Sequence, residues 1–198
     1  MGDSLRTVIY DSHVALGAKI TDFSGWDKPL QYPTGIMQEH LATRKQAGIF
    51  DVSHMGRFIV RGGQALPFLQ HVLTNNAASL DVGLGQYTMI PNENGGVIDD
   101  AYLYRFVEDE YLLVVNAGNR DKDWAWLNDL LAPHADVEMT DVSEDIAMIA
   151  LQGPASTAIL EHLERRVPEP ALFPADPAER EAAMAIAERS GLRALRGG

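Results

Sequence analysis

The sequence predicts an α+β chain, an antiparallel sheet with flanking helices, and three observations carry that expectation. Tyr87-Thr88-Met89-Ile90 and the run from Val97 to Arg105 are joined by Asn92-Glu93-Asn94-Gly95-Gly96, whose Asn and Gly residues supply the positive φ values of a tight turn, so the pair reads as a β-hairpin. Glu108-Asp109-Glu110 is a second turn, and Tyr111-Leu112-Leu113-Val114-Val115 follows it as a third consecutive antiparallel strand. Elsewhere, apolar residues recur at spacings of three and four, the period of a helix packed on one face.

Taken in order, residues 5–16 read as a short opening helix carrying Ile9, His13 and Leu16, with Gly17 as a left-handed stop. Ser24-Gly25-Trp26-Asp27-Lys28-Pro29 with Tyr32-Pro33 reads as a loop pinned to the core by Trp26. Thr34 is placed to cap a helix through Ile36, Met37, His40, Leu41 and Arg44 that stops at Gly48. Arg57 to Arg61 alternates charged and apolar residues as a strand, and Gln64 to Leu73 returns to helical spacing, with Pro67 tolerated in the first turn. Asn116 or Asn119 can cap a helix whose buried stripe is Trp124, Leu127 and Leu131. Ile146 to Leu151 is an apolar run suited to a buried strand, and Gly153-Pro154 opens a further helix. From Val167 the composition changes to a Pro-rich linker and an Ala, Glu and Arg segment, with a helix start at Asp176-Pro177.

Composition removes several function classes. Sixteen basic against 28 acidic residues give a net charge of −12, a field that repels phosphate backbones and anionic lipid, so nucleic acid is not an expected partner. No apolar run reaches the ~20 residues of a membrane span and no signal peptide is legible, which sets the expectation of a cytoplasmic protein without a membrane partner. The absence of cysteine excludes thiolate nucleophiles and thiolate metal sites. The six histidines never fall into a paired ligand spacing, so no metal is expected. Asp51, Ser53 and His54 include the letters of a triad, but neighbours in sequence diverge too far for triad geometry.

Asp99-Asp100 remains. In an alternating strand, Val97, Asp99, Ala101 and Leu103 share one face and Ile98, Asp100, Tyr102 and Tyr104 the other, so one carboxylate must face an apolar layer. Such a group needs a hydrogen-bond partner or a ligand, and the residue types leave both open. Met55, Tyr87 and Asn116 lie on segments that end or begin near the pair. Carboxylate, aromatic, thioether and amide groups suit a flat heteroaromatic ligand: the acid pairs with an N–C–NH₂ edge, and the others cover or read its faces.

Tyr10-Asp11 to Gly17-Ala18-Lys19, Asp22-Phe23-Ser24-Gly25-Trp26, Glu39-His40-Leu41 with Arg44, Phe50 to Gly56, Asn92 to Asp100, Val114 to Ala117, Lys122-Asp123 and Leu151 to Pro154 occur in an order that resembles the glycine cleavage system T-protein family, over roughly residues 8–163. The resemblance implies a tetrahydrofolate-dependent aminomethyltransferase. It would move a one-carbon unit from the aminomethyl-lipoyl arm of H-protein to tetrahydrofolate as co-substrate, with release of ammonia. By the same resemblance Asp100 is the catalytic carboxylate beside the pterin, Met55, Tyr87 and Asn116 line the folate pocket, and Asp99 supports them. The expected organisation is a folate-binding region over 1–165, with a hairpin-sheet subdomain at 39–140 and a partial second subdomain from 1–38 plus 141–165, then a divergent tail at 166–198 in place of the family's C-terminal β-barrel domain. Two other readings stand beside it: a truncated, non-catalytic folate-binding or interaction module, and a folate-dependent demethylase relative.

Overall fold

The computed structural model describes residues 4–164; the linker, tail and helix start expected beyond Val167 lie outside them. Helix α1 (Tyr10–Ala15) is shorter than expected and ends, as anticipated, at Gly17 with φ +74°. Next comes β1 (Lys19–Phe23), and the loop expected from Ser24 is instead a turn followed by β2 (Trp26–Gln31), which pairs with β1 as a hairpin. Ser24 and Gly25 both adopt positive φ, the conformation a two-residue hairpin turn requires, and a two-stranded ribbon tolerates Pro29 because each strand has an open edge. Trp26 is buried, as expected of an anchor.

Helix α2 (Ile36–Lys45) is capped by Gly35 without a side-chain bond, so Thr34 does not serve, and its Ile36 and Met37 are exposed. The expected stop, Gly48, instead begins β3 (Gly48–Asp51). Then follow β4 (Gly56–Arg61), α3 (Ala65–Val72), β5 (Gly85–Pro91), β6 (Val97–Val107), β7 (Glu110–Val115) and α4 (Arg120–Asp129). The described chain closes with β8 (Glu138–Asp141), β9 (Ile149–Gln152) and α5 (Ser156–Glu164).

These elements form two units. The first comprises 4–55 and 143–160 and contains the β1–β2 ribbon and an antiparallel β3–β9 pair, in register from Gly48 opposite Gln152 to Asp51 opposite Ile149. Because β3 bonds to β9, residues 39–55 belong here, and the division falls at 55/56 rather than at 39. β9 is not the buried strand its composition suggested, since Ile149 is exposed.

The second unit, 56–142 with 161–164, is built on a five-stranded sheet in the order β5-β6-β7-β4-β8, every pair antiparallel. The three strands expected around the Asn-Gly turn are its first three. Phe58, Val60, Ile90, Leu103, Tyr111 and Leu113 point inward and pack with Phe68, Leu69 and Val72 of α3 and Leu127 of α4. Phe58 meets Trp124 edge to face at 4.9 Å, the arrangement that opposed ring quadrupoles prefer. The opposite face of the first two strands carries Tyr87, Met89, Asp100, Tyr102 and Tyr104, all exposed.

Candidate functional site

Alternation along β6 separates the two acids. Asp99 joins Ala101 and Leu103 on the buried side at 6% exposure, and Asp100 joins Tyr102 and Tyr104 on the open side. The register puts Met89 opposite Asp100 and Tyr87 opposite Tyr102, so Tyr87 lies diagonally across from Asp100 on the same face. Tyr102 and Tyr104 stack with ring centroids 5.0 Å apart. The result is a carboxylate at one end of an open aromatic surface.

The buried acid is held by the segment that follows β7. Asp99 accepts from the Asn116 backbone N–H at 3.2 Å, from Asn116 Nδ2 at 3.0 Å and from Asn119 Nδ2 at 2.8 Å. Burial opposes its ionisation. The hydrogen bonds from Asp123, from both Asn side chains and from the Asn116 N–H outweigh burial and hold Asp99 below the ordinary carboxylate range. Asn116 Nδ2 also donates to Asp100 Oδ1 at 3.0 Å and to the Asp100 carbonyl at 3.2 Å. Desolvation, then the hydrogen bond to Asp100, raise the Tyr87 hydroxyl above its usual value.

A sequence profile of the GCVT N-terminal domain matches residues 9–177. The chain belongs to the GCVT N-terminal domain family. Among curated relatives of this family, it is 54% identical over 158 residues to an aminomethyltransferase of Thermus thermophilus, covering 80% of this chain and 45% of the relative. It is 49% identical over 160 residues to an aminomethyltransferase of Geobacillus thermodenitrificans, covering 80% and 42%. The crystal structure of the glycine cleavage system aminomethyltransferase T of Bartonella henselae superposes with a TM-score of 0.76 at 37% identity, covering 83% of this chain and 44% of that one. The chain thus spans less than half the length of these relatives.

Of the site residues expected in this GCVT-family chain, Tyr87, Asp99, Asp100 and Asn116 fall within one unit and are linked by the bonds above. Met55 is the last residue of the other unit, half-buried, with its N–H donating to the Val52 carbonyl. Residue reasoning missed Asn119, Lys122 and Asp123 as parts of the cluster. Asn119 stood only as a helix cap, but it makes no side-chain cap bond and turns its amide to Asp99 instead. Lys122 Nζ donates to the Ile98 carbonyl at 2.8 Å and to Asn119 Oδ1 at 3.0 Å, fixing that amide's orientation. The available signal was an Asn-x-x-Asn step running into a helix whose fourth residue is an acid on the buried side.

The first unit holds a separate polar cluster. Asp51, its side chain wholly buried, accepts from Thr7 Oγ1 and the Ser53 N–H, and lies 3.1 Å from His13 Nε2 and 3.4 Å from Lys28 Nζ. His13 Nδ1 is 2.8 Å from the Tyr32 hydroxyl. Burial opposes ionisation of Asp51, but the bonds from Thr7, Ser53 and His13 prevail and hold it far below the ordinary range. The Ser53 hydroxyl donates to the Met148 carbonyl and accepts from the Met148 N–H, so it is engaged with backbone.

Proposed function

We propose that this chain provides the pterin-facing carboxylate of a tetrahydrofolate-dependent aminomethyltransferase of the glycine cleavage system. The observation that carries the reading is the exposed Asp100, held by Asn116 beside an open aromatic surface, in a GCVT-family chain. In this reaction the aminomethyl carbon leaves the lipoyl sulfur of H-protein and its own amine and becomes bonded to two folate nitrogens. The two folate N–H protons end on the sulfur and the departing ammonia.

Asp100 accepts hydrogen bonds from a ring N–H edge and opposes the positive charge that develops on the one-carbon unit as the amine departs. Its Asn116 bond fixes the carboxylate direction before the ligand arrives, so less ordering remains to be done on binding. Tyr87, Tyr102 and Met89 offer aromatic and thioether surface to a flat ring. Asp99 acts through Asn116.

The test is formation of methylenetetrahydrofolate from tetrahydrofolate and aminomethylated, lipoylated H-protein, with Asp100→Asn as the control. Turnover that depends on H-protein and falls in the variant supports the proposal. Folate binding without turnover assigns the chain as a binding module. One-carbon release from an N-methyl donor without H-protein assigns it to the demethylase relatives.

A further inference from the structure

Asp123, in the first turn of α4, is fully shielded from solvent, and among the described residues no N–H donor reaches either of its carboxyl oxygens. The Asp99 carboxyl lies at hydrogen-bonding reach of it. Two ionised acids there would set acceptor against acceptor and like charge against like charge in a site shielded from bulk solvent. A single shared proton resolves the conflict, and the bonding pattern locates it. Asp99 already receives three N–H bonds that favour its ionised form, and Asp123 receives none from the described residues.

We propose that Asp123 is a positioning residue, a neutral carboxylic acid that donates to Asp99 and, through the Asn116 amide that Asp99 orients, aims Asp100 toward the open face of the sheet. The relay runs from the Asp123 O–H to Asp99, and from Asn116 Nδ2 to both Asp99 Oδ1 and Asp100 Oδ1, each at 3.0 Å. The proposal rests on the reading of Asp100 as the ligand-facing carboxylate. The charged groups that face Asp123 are Asp99 and Asp100 from β6 and Lys122 from its own helix. Burial, the Asp99 hydrogen bond and the Asp99 charge push Asp123 up to about 8, with Lys122 working in the other direction. Loss of this proton sets two buried anions against each other and loosens the amide that aims Asp100.

The test uses the 198-residue chain with carboxyl-labelled aspartate and nitrogen-labelled asparagine, followed by NMR from about pH 5 to about pH 10, together with tetrahydrofolate titrations. Three results are expected: a carboxyl resonance with a midpoint in the alkaline range that is absent in Asp123→Asn, an Asn116 side-chain amide that moves with the same midpoint, and tetrahydrofolate affinity that falls about tenfold across it. Asp123→Ala should bind about tenfold more weakly at neutral pH, and Asp123→Asn, which keeps a donor toward Asp99, should recover most of that loss without the alkaline decline.

An Asn116 amide that ignores the Asp123 titration overturns the proposal. So does Asp123→Asn binding as poorly as a folded Asp123→Ala, which marks a packing role alone. If Asp123→Ala does not fold, the wild-type titration and Asp123→Asn still decide. Linked Asp123 and Asn116 titrations without any folate binding would support the relay while removing the functional reading of Asp100.

Discussion

Asn116 Nδ2 lies 3.0 Å from Asp99 Oδ1 and 3.0 Å from Asp100 Oδ1, so a single amide ties the buried acid of β6 to the exposed one. Replacing Asn116 by alanine leaves Asp99 short of one of its donors and frees Asp100 to rotate. The expected outcome is a stability loss of ~1–3 kcal/mol by urea denaturation and tetrahydrofolate binding weakened about tenfold by calorimetric titration. Asn116→Asp should be worse on both counts, because it replaces a donor with a third carboxylate.

Gly85 lies under the tyrosine pair, where an added Cβ would come within 2.7 Å of the Tyr104 ring and 2.8 Å of the Tyr102 ring. Gly85→Ala must therefore displace these exposed rings. Folate affinity should fall several-fold while the urea midpoint changes little, a split that titration and denaturation on the same preparation would show.

Asp51 predicts a pH dependence of stability in the first unit. Its folded pKa lies below the unfolded value, so as pH drops the unfolded chain takes up a proton that the folded chain resists. This stabilisation is complete above the ordinary carboxylate pKa of about 3.9 and is lost as pH falls below it. Asp51→Asn should flatten the acid limb when protection of amides in β3 and β9 is followed by hydrogen exchange. Asp51→Ala, which strips the buried Lys28 ammonium of its counter-charge and His13 of a hydrogen-bond partner, should cost ~3–5 kcal/mol at neutral pH.

Much of the second unit was legible because alternation and turn chemistry are local. The period-two pattern of Asp99 to Tyr104 and the Asn-Gly turn suffice to separate Asp99 from Asp100, and the structure keeps that separation. The first unit was harder to read. Ser24 is a non-glycine residue at φ +53°, and Pro29 argues against a strand, so β2 reads as a loop until its pairing with β1 is seen. The apolar spacing of α2 reads as a buried face, yet Ile36 and Met37 are exposed, since periodicity reports a face and not what covers it. Asp123 was hidden for another reason. An acid in the first turn of a helix is ordinary on electrostatic grounds, and only the fold turns it inward against Asp99.

The central claim, that Asp100 is the ligand-facing carboxylate, is tested most directly by equilibrium titration of wild type and Asp100→Asn with tetrahydrofolate under identical conditions. Asp100 is exposed on the open side of the sheet, so the substitution should leave the fold intact, and circular dichroism of both proteins would establish this. Loss of a charge-assisted hydrogen bond to the ligand predicts affinity lower by about ten- to a hundredfold. Equal affinity in the two proteins would contradict the account.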